Sequence, residues 1–255
     1  MKFSANLGFL WNDLPLPKAI QAAKLAGFDA VECHWPYDEP PEKVLKALTS
    51  TGLIMLGLNT PRGNVATGDN GLAALPGREK EARATIDQAL DYAKKIRAEN
   101  IHVMAGFSQG EEAHTTFISN LRYACNRAYQ EDIKILIEPL NKYDTPGYFL
   151  RTTDQAVEII KEVGSVSLKL MFDCYHVQLM EGNLTNRIKE LLPLIGHIQF
   201  AAVPNRTAPG HGEIDYTYLF SAIKAMGWQQ PLGAEYKPGG NPLKSMDWLY
   251  RAKSL

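Results

Sequence analysis

The sequence has only three cysteines, Cys33, Cys125 and Cys174, at scattered positions. An odd number of widely spaced cysteines argues against a disulfide framework or a zinc ribbon and is typical of a reduced, cytoplasmic protein. No base accompanies any of the three residues. We therefore expect each thiol to contribute packing rather than nucleophilic catalysis.

Long apolar runs and an excess of one charge are also missing. No stretch approaches the roughly 20 residues that span a bilayer, and the N-terminal MKFSANLGFLWNDLPLP lacks the pattern of a signal peptide. Lys plus Arg number 27 and Asp plus Glu number 28, so the net charge gives no long-range attraction to nucleic acid or to an anionic membrane. We expect a cytoplasmic protein that binds a small molecule, with neither nucleic acid nor membrane as a partner.

Eight short apolar runs alternate with longer amphipathic segments. Most runs are apolar throughout, which is typical of parallel strands covered on both faces. The runs are residues 3–9, 30–35, 53–58, 101–106, 133–138, 168–173, 197–202 and 232–236. With no linker or composition shift, the alternation predicts one domain over residues 1–255, a (β/α)8 TIM barrel. A doubly wound open sheet is the alternative, but the chain has no glycine-rich dinucleotide fingerprint.

Several of the amphipathic segments have clear helix ends. Prolines begin the segments 15–26 and 40–50, and a glycine follows each of them. Further helices are predicted at 78–98, from Thr152 to near Gly164, and at 216–226. The longest irregular segment, roughly residues 59–77, follows the third strand, so we expect it to form a lid or a substrate wall.

Polar side chains stand at the ends of the last four predicted strands: Glu138, Asp173, Gln199 (or His197) and Glu235. Barrel active sites are built at the C-terminal strand ends, so these side chains should share one arc of the mouth. Carboxylates brought close together repel one another and are stabilised around a divalent cation. Oxygen ligands with one amide favour Mg²⁺ or Mn²⁺ over zinc.

Motifs along essentially the whole chain resemble the hydroxypyruvate isomerase family of xylose-isomerase-like TIM barrels, which includes 2-oxo-tetronate isomerases. In order, they are NLGFLW, AGFDAVE with PYD (26–38), PGREKEAR (76–83), IEPLN (137–141), FDCYHVQ (172–178), HIQFAAVPNR (197–206) and GEIDY (212–216). The resemblance implies one divalent metal ion held by Glu138, Asp173, Gln199 and Glu235, the residues that the strand ends also indicate.

The activity that the resemblance implies is metal-dependent aldose–ketose isomerisation of a short hydroxy-oxo acid, as from hydroxypyruvate to tartronate semialdehyde. A base removes a proton between the hydroxyl and carbonyl carbons, and an acid returns a proton to the neighbouring carbon of the enediolate. Glu138 and Glu235 are the implied pair. Either one is a candidate for the proton abstraction.

Four further residues are candidates for substrate binding. His176 would bind a substrate oxygen or orient the metal ligands, and Arg206 would hold a substrate carboxylate in a bidentate manner. Lys142, just beyond Glu138, is a similar anion-binding candidate. Glu32 would contact substrate or support the metal ligands. The alternatives are an exposed loop position for Arg206 and a structural hydrogen bond for His176.

Other histidines receive structural interpretations. His102 and His197 lie within strands, so we expect core histidines with satisfied hydrogen bonds. The segment ECHWP (32–36) departs from the family pattern, where more apolar residues precede PYD, and His211 is also unusual for its loop. Both departures leave the identity of the substrate open.

Rival functions share the barrel. A ketose 3-epimerase uses a similar glutamate pair but has histidine where this chain has Gln199, and a 2-oxo-tetronate isomerase is hard to separate by motif. An endonuclease-IV-type nuclease needs three zinc ions and several strand-end histidines, whereas strands 3 and 4 are predicted to end in Leu58-Asn59 and Met104-Ala105. A non-catalytic binding protein is the last rival. Apolar residues on the outer helices would support a homo-oligomer.

Overall fold

Nine short parallel strands form the centre of the computed structural model, which describes residues 1–254. They are β1 (Phe3–Asn6), β2 (Ala30–Glu32), β3 (Ile54–Met55), β4 (Gly57–Asn59), β5 (Asn100–His102), β6 (Lys134–Ile137), β7 (Leu168–Asp173), β8 (Ile195–Phe200) and β9 (Leu232–Ala234). Their order in the sheet is β3-β2-β1-β9-β8-β7-β6-β5-β4.

The third predicted strand is divided in two. β3 pairs with β2, and β4 pairs with β5. Leu56 lies between them and still donates its backbone N–H to the carbonyl of Val31 at 2.7 Å. The two ends of the sheet therefore meet within one short segment, which closes the barrel. The predicted TIM barrel is confirmed.

Nine α-helices surround the strands within the described residues. They are α1 (Leu16–Leu25), α2 (Pro41–Thr51), α3 (Glu79–Ile96), α4 (Gly110–Tyr129), α5 (Thr153–Val163), α6 (Cys174–Met180), α7 (Leu184–Leu191), α8 (Tyr216–Ala225) and α9 (Asp247–Lys253). As predicted, prolines begin α1 and α2, and the Thr152 side chain caps α5 by accepting the N–H of Gln155. None of the described helices combines the length and apolar character needed to cross a membrane.

Edge-to-face aromatic contacts fix the strands that close the barrel against the last helices. Phe3 on β1 packs against Phe200 on β8 and Trp248 on α9, with ring centroids 6.0 and 5.2 Å apart. Phe200 also packs at 4.9 Å against Phe220 on α8. Such pairs add about 0.5–1.5 kcal/mol each beyond the area that they bury. They stabilise the part of the barrel that carries Gln199 and Glu235.

The long segment after β4 is held in place beside the mouth. Arg78 donates two hydrogen bonds to the Asp69 carboxylate, at 2.8 and 2.9 Å. Gly71 forms an antiparallel bridge with Ala105. Gly71 has a φ of +108°, and a Cβ there would lie 2.6 Å from the Met104 carbonyl oxygen, so only glycine fits. Of the two expectations, lid and wall, these contacts favour the wall.

Candidate active site

The four predicted oxygen ligands gather at the C-terminal ends of β6 to β9. Glu138 follows β6, Asp173 ends β7, Gln199 lies near the end of β8, and Glu235 follows β9. Asp173 pairs directly with Gln199 in the register of β7 and β8. All four side chains are buried. The spacing of one strand–helix repeat between them therefore brings them together, as the sequence predicts.

Glu235 is held by three donors. Its Oε1 accepts hydrogen bonds from Asn6 Nδ2 and His34 Nε2, both at 2.8 Å, and its Oε2 accepts one from Arg206 Nη2 at 2.5 Å. Burial by itself would raise the pKa of Glu235, but the Arg206 guanidinium and the His34 hydrogen bond outweigh it and lower that pKa. Glu235 is therefore a carboxylate at neutral pH.

Glu138 has the opposite environment. Its Oε1 has no hydrogen-bond partner among residues 1–254, and its Oε2 lies 3.5 Å from His102 Nδ1. Burial raises the pKa of Glu138 well above its usual value, and the charges of Glu235 and Asp173 add to this effect. Two glutamates with pKa values pushed apart are a usual basis for assigning an acid and a base.

Arg206 supplies positive charge to two of the carboxylates. Its Nη2 lies 3.3 Å from Asp173 Oδ2 while it binds Glu235. The guanidinium lies between the rings of Phe9 and Tyr175, 4.9 and 4.8 Å from their centroids. Burial still raises the pKa of Asp173 above its ordinary value, because Arg206 only partly offsets burial and the charges of Glu235 and Glu32.

The hydrogen bonds of His176 fix its tautomer. Its Nδ1 accepts the backbone N–H of Asn141 at 3.0 Å, so a neutral ring carries its proton on Nε2. Burial lowers the pKa of His176 to about 3, which keeps the ring neutral. Nε2 lies 3.6 Å from Asp173 Oδ2 and 4.0 Å from Glu138 Oε1. His176 is thus arranged to donate a hydrogen bond beside the carboxylates rather than to offer a lone pair.

Glu32 orients Gln199 from the interior of the barrel. Its carboxylate accepts hydrogen bonds from Gln199 Nε2 at 2.8 Å, His197 Nε2 at 2.7 Å and Asn6 Nδ2 at 3.1 Å. Since a carboxylate only accepts, the amide nitrogen of Gln199 must face Glu32. The Gln199 Oε1 is left buried without a partner in the described chain. This arrangement favours support of the metal ligands over substrate contact as the role of Glu32.

The donor set fits a hard divalent cation. Glu138 and Gln199 each keep a buried oxygen without a partner among the described residues, and Asp173 and Glu235 share one cationic nitrogen. Unpaired buried oxygens are costly, and three carboxylates with one amide are the ligands that Mg²⁺ and Mn²⁺ prefer. Glu138, Asp173 and His176 can also bring three ligand atoms within 4.8 Å of one another, but the tautomer of His176 favours Gln199 as the fourth ligand.

The expectation for His102 is partly wrong. The residue is buried, as predicted, but neither ring nitrogen has a hydrogen-bond partner in the described part of the chain. Burial lowers its pKa to about 3, so the ring is neutral. A cavity of about 20 Å³, lined in part by His102 and Asn100, has room for about one water molecule. His197 bonds to Glu32, so its predicted satisfaction is confirmed.

This barrel has close relatives among known proteins. Residues 20–252 match the family described as xylose isomerase-like TIM barrel. The hydroxypyruvate isomerase of Escherichia coli is 40% identical over 254 residues, which cover 98% of each chain. The 2-oxo-tetronate isomerase of Cupriavidus necator is 40% identical over 252 residues, which cover 97% of each. The chain belongs to the hydroxypyruvate isomerase family.

A solved structure matches the fold closely. The crystal structure of an AP endonuclease, family 2, from Brucella melitensis superposes with a TM-score of 0.95, at 36% identity and with 98% of each chain covered. Hydroxypyruvate isomerase family membership thus agrees with the barrel and with the strand-end motifs.

Among the four candidates for substrate binding, Lys142 lies apart from the carboxylates. It is exposed, and its ammonium group lies 5.2 Å from the centroid of the Tyr143 ring. The structure therefore brings His176, Arg206 and Glu32 to the cluster but not Lys142. A larger groove of about 600 Å³ between residues 209–217 and α9 contains none of the predicted site residues.

The sequence analysis missed three residues of the site. Asn6 joins Glu32 to Glu235, and Asn141 orients His176. The third is His34, noted only as a departure from the family. Asn6 ends β1 in the structure, but the predicted first strand ran to residue 9, so the strand-end rule did not single it out. Nothing in the sequence pairs His34 with a residue two hundred positions away.

Proposed function

We propose that this protein is a metal-dependent isomerase of a short hydroxy-oxo acid, which interconverts hydroxypyruvate and tartronate semialdehyde. The observation that carries the proposal is the pair of buried glutamates in opposite environments. Glu235 is held ionised by three donors, whereas Glu138 keeps an oxygen without a partner among the described residues. The name and 40% identity of the E. coli relative support the same reaction type.

A divalent cation, Mg²⁺ or Mn²⁺, completes the proposed site. Glu138, Asp173, Gln199 and Glu235 would hold it. It would supply Lewis acidity for the oxygens of the substrate. The two unpartnered oxygens of Glu138 and Gln199 support this proposal, since each is a buried acceptor that water does not reach.

The two glutamates would move the proton. One takes it from the carbon that bears the hydroxyl group, which gives an enediolate, and the other gives a proton to the adjacent carbon. The proton of the hydroxyl group passes to the former carbonyl oxygen, so the two oxygens exchange roles. His176 would donate from Nε2 to a substrate oxygen, since that N–H already lies beside Asp173 and Glu138. Negative charge that develops on the substrate oxygens would be stabilised by such preorganised donors.

The substrate carboxylate would meet a cation. Arg206 offers a planar guanidinium at the mouth, whose geometry suits bidentate binding of a carboxylate. Lys142 is exposed beyond Glu138 and would attract the anion at longer range. A small anionic substrate agrees with both residues.

A 2-oxo-tetronate, one carbon longer, is the second candidate substrate. It is favoured by the name of the C. necator relative, which is as similar as the E. coli relative. A ketose 3-epimerase is disfavoured by Gln199. For a nuclease, the strands predicted as third and fourth end with one histidine, His102, because β5 ends at that residue rather than at the predicted 106. One such histidine is short of a three-zinc site.

Turnover assays on metal-stripped protein test the proposal. Hydroxypyruvate, a 2-oxo-tetronate, a D-ketose and abasic-site DNA are each offered with and without Mg²⁺ or Mn²⁺. We expect metal-dependent isomerisation of a short oxo acid and its loss in Glu138→Gln and Glu235→Gln. Turnover of the ketose or the DNA alone would overturn the proposal. The single domain, the cytoplasmic location, the absence of nucleic-acid and membrane partners and the homo-oligomer remain predictions.

A further inference from the structure

His34 meets Glu235 across the mouth of the barrel. It lies just after β2, and its Nε2 is 2.8 Å from Glu235 Oε1. Because an ionised carboxylate has no proton to donate, Nε2 is the donor. We propose that His34 is a positioning residue that holds Glu235 in its reactive orientation, and that the missing side chain of Gly8 makes room for it. The inference rests on the proposed function of Glu235.

His34 is the donor dedicated to Glu235 within residues 1–254. Asn6 divides its amide nitrogen between Glu32 and Glu235, at 3.1 and 2.8 Å. Arg206 divides its Nη2 between Asp173 and Glu235. A change in either of those residues therefore disturbs a second acidic group. A change in His34 removes a hydrogen bond from Glu235 and from no second acidic group.

Aromatic neighbours hold the imidazole in place. The ring of Phe9 meets it edge-on at 5.4 Å, and the ring of Trp35 lies at 5.1 Å. Trp35 is itself fixed, because its Nε1 donates to the Thr60 carbonyl at 3.2 Å and the Arg62 guanidinium stacks on it at 3.9 Å. A side chain locked by such packing can fix the carboxylate that it binds.

A substitution at Gly8 offers a second way to displace the His34 ring, independent of any change in His34 itself. A Cβ at this position would lie 2.1 Å from Nδ1, 2.4 Å from Cε1 and 2.5 Å from Cγ of the His34 ring. Those are its three nearest atoms, and the φ of Gly8 is outside the left-handed region, so alanine fits the backbone. Gly8→Ala should therefore displace the imidazole without replacing any atom of His34 or Glu235.

A double-mutant cycle tests the proposal. We expect His34→Leu and Gly8→Ala each to lower kcat by about 10- to 100-fold, the loss expected for a charge-assisted hydrogen bond, with KM changed less than about twofold. His34→Gln keeps an N–H donor and should recover most of the rate. The cycle is closed with His34→Ala, which should lower kcat as His34→Leu does and which also removes the Cγ that a leucine keeps 2.5 Å from the new Cβ. Adding Gly8→Ala to His34→Ala should cost less than about twofold more, since the clashing atoms are gone. Gly57→Ala is the matched control, because its Cβ would have 3.4 Å to the nearest atom.

Isotope exchange separates positioning from a general loss of structure. In D2O, the wild-type protein should incorporate deuterium at both reacting carbons. If His34 serves Glu235 alone, His34→Leu should slow exchange at one carbon and keep it at the other. In one direction of the reaction, deuterium would then enter the substrate faster than the substrate is converted to product. Equal losses of exchange rate at both carbons, or an unchanged kcat in His34→Leu, would overturn the proposal. A loss of kcat on Gly8→Ala that is the same with and without the His34 side chain would also overturn it.

A spectrum distinguishes this inference from the proposed function. Nitrogen NMR of histidine-labelled protein should show the His34 proton on Nε2, with a signal that shifts in Glu235→Gln and in Gly8→Ala. If wild-type protein converts none of the short oxo acids, the proposed function fails. If the His34 signal does not shift in either variant, the His34–Glu235 contact is overturned, whatever the turnover.

Discussion

His176 Nδ1 accepts the backbone N–H of Asn141 at 3.0 Å, and this contact leaves the ring proton on the nitrogen beside Glu138 and Asp173. A histidine that donates cannot also coordinate a cation through the same atom. Asp173 and His176, three residues apart, thus have different roles in the proposed site, Asp173 as an acidic ligand and His176 as a hydrogen-bond donor.

His176→Ala should leave metal affinity nearly intact. We expect the dissociation constant for Mn²⁺ to change less than about threefold, while Asp173→Asn weakens it by more than about tenfold, because only the second change removes a proposed ligand. Calorimetric titration of metal-stripped protein measures both. A loss of affinity in His176→Ala as large as that in Asp173→Asn would make His176 a ligand.

Glu32→Gln should weaken the metal site from a distance. The two carboxylate oxygens of Glu32 accept hydrogen bonds from Gln199, His197 and Asn6. A glutamine at this position has only one acceptor oxygen, so the amide of Gln199 loses its fixed orientation. We expect affinity for Mn²⁺ to fall by about 10- to 100-fold, the range for residues that orient metal ligands. Glu158→Gln, an exposed change on α5, is the control. Unaltered affinity in Glu32→Gln would refute the orienting role.

Arg206→Gln should destabilise the metal-free protein. The change leaves Asp173 and Glu235 without their shared cation, and an uncompensated buried charge costs about 3–5 kcal/mol. In EDTA we expect Arg206→Gln to have a lower Tm than wild type. Saturating Mg²⁺ should raise the Tm of Arg206→Gln by more than it raises the Tm of wild type. Lys46→Gln removes one exposed positive charge and serves as the control. Equal Tm values for Arg206→Gln and wild type in EDTA would contradict the expectation.

Asp69→Asn should loosen the wall beside the mouth in a pH-dependent manner. The two hydrogen bonds from Arg78 are the main cause of the lowered pKa of Asp69. The pair therefore contributes stability above the pKa of the unfolded chain, near 4, and loses it as the pH falls through the lower folded value. We expect a loss of about 1 kcal/mol at pH 7.

Urea unfolding of Asp69→Asn beside wild type, from pH 7 to pH 3, measures this difference. Other acidic groups contribute equally to both proteins and cancel in the comparison. The gap in free energy of unfolding should narrow below about pH 4. A gap that stays constant over the whole range would show that Asp69 acts through packing alone.

The sequence predicted the carboxylates better than it predicted their partners. Glu138 and Glu235 were found because a strand end fixes where a side chain lies. Asn6 and His34 reach Glu235 only when β1 and β2 close against β9, and no local pattern reports which side chains then meet. Lys142 lies away from the carboxylates because the chain turns at Asn141, whose Oδ1 accepts the backbone N–H groups of Tyr143 and Asp144. Its predicted binding of an anion stays a prediction.

The ends of strands were also poorly predicted from the sequence. β5 stops at His102, four residues earlier than predicted, because the chain leaves the ladder for side-chain acceptors. Met104 donates its N–H to the Thr60 hydroxyl and Ala105 to the Tyr148 hydroxyl. Apolar composition continues past the strand, so periodicity alone could not show this exit. His102, the last residue of β5, lies beside Glu138.

The guanidinium of Arg206 between Asp173 and Glu235 bears on how the protein is made. A centre with its own internal cation allows the barrel to close on a newly synthesised chain before any ion arrives. Loading would then be a late exchange, in which an incoming ion takes over two carboxylate oxygens from one nitrogen. The maturation of this protein would follow the supply of metal, while its folding would not.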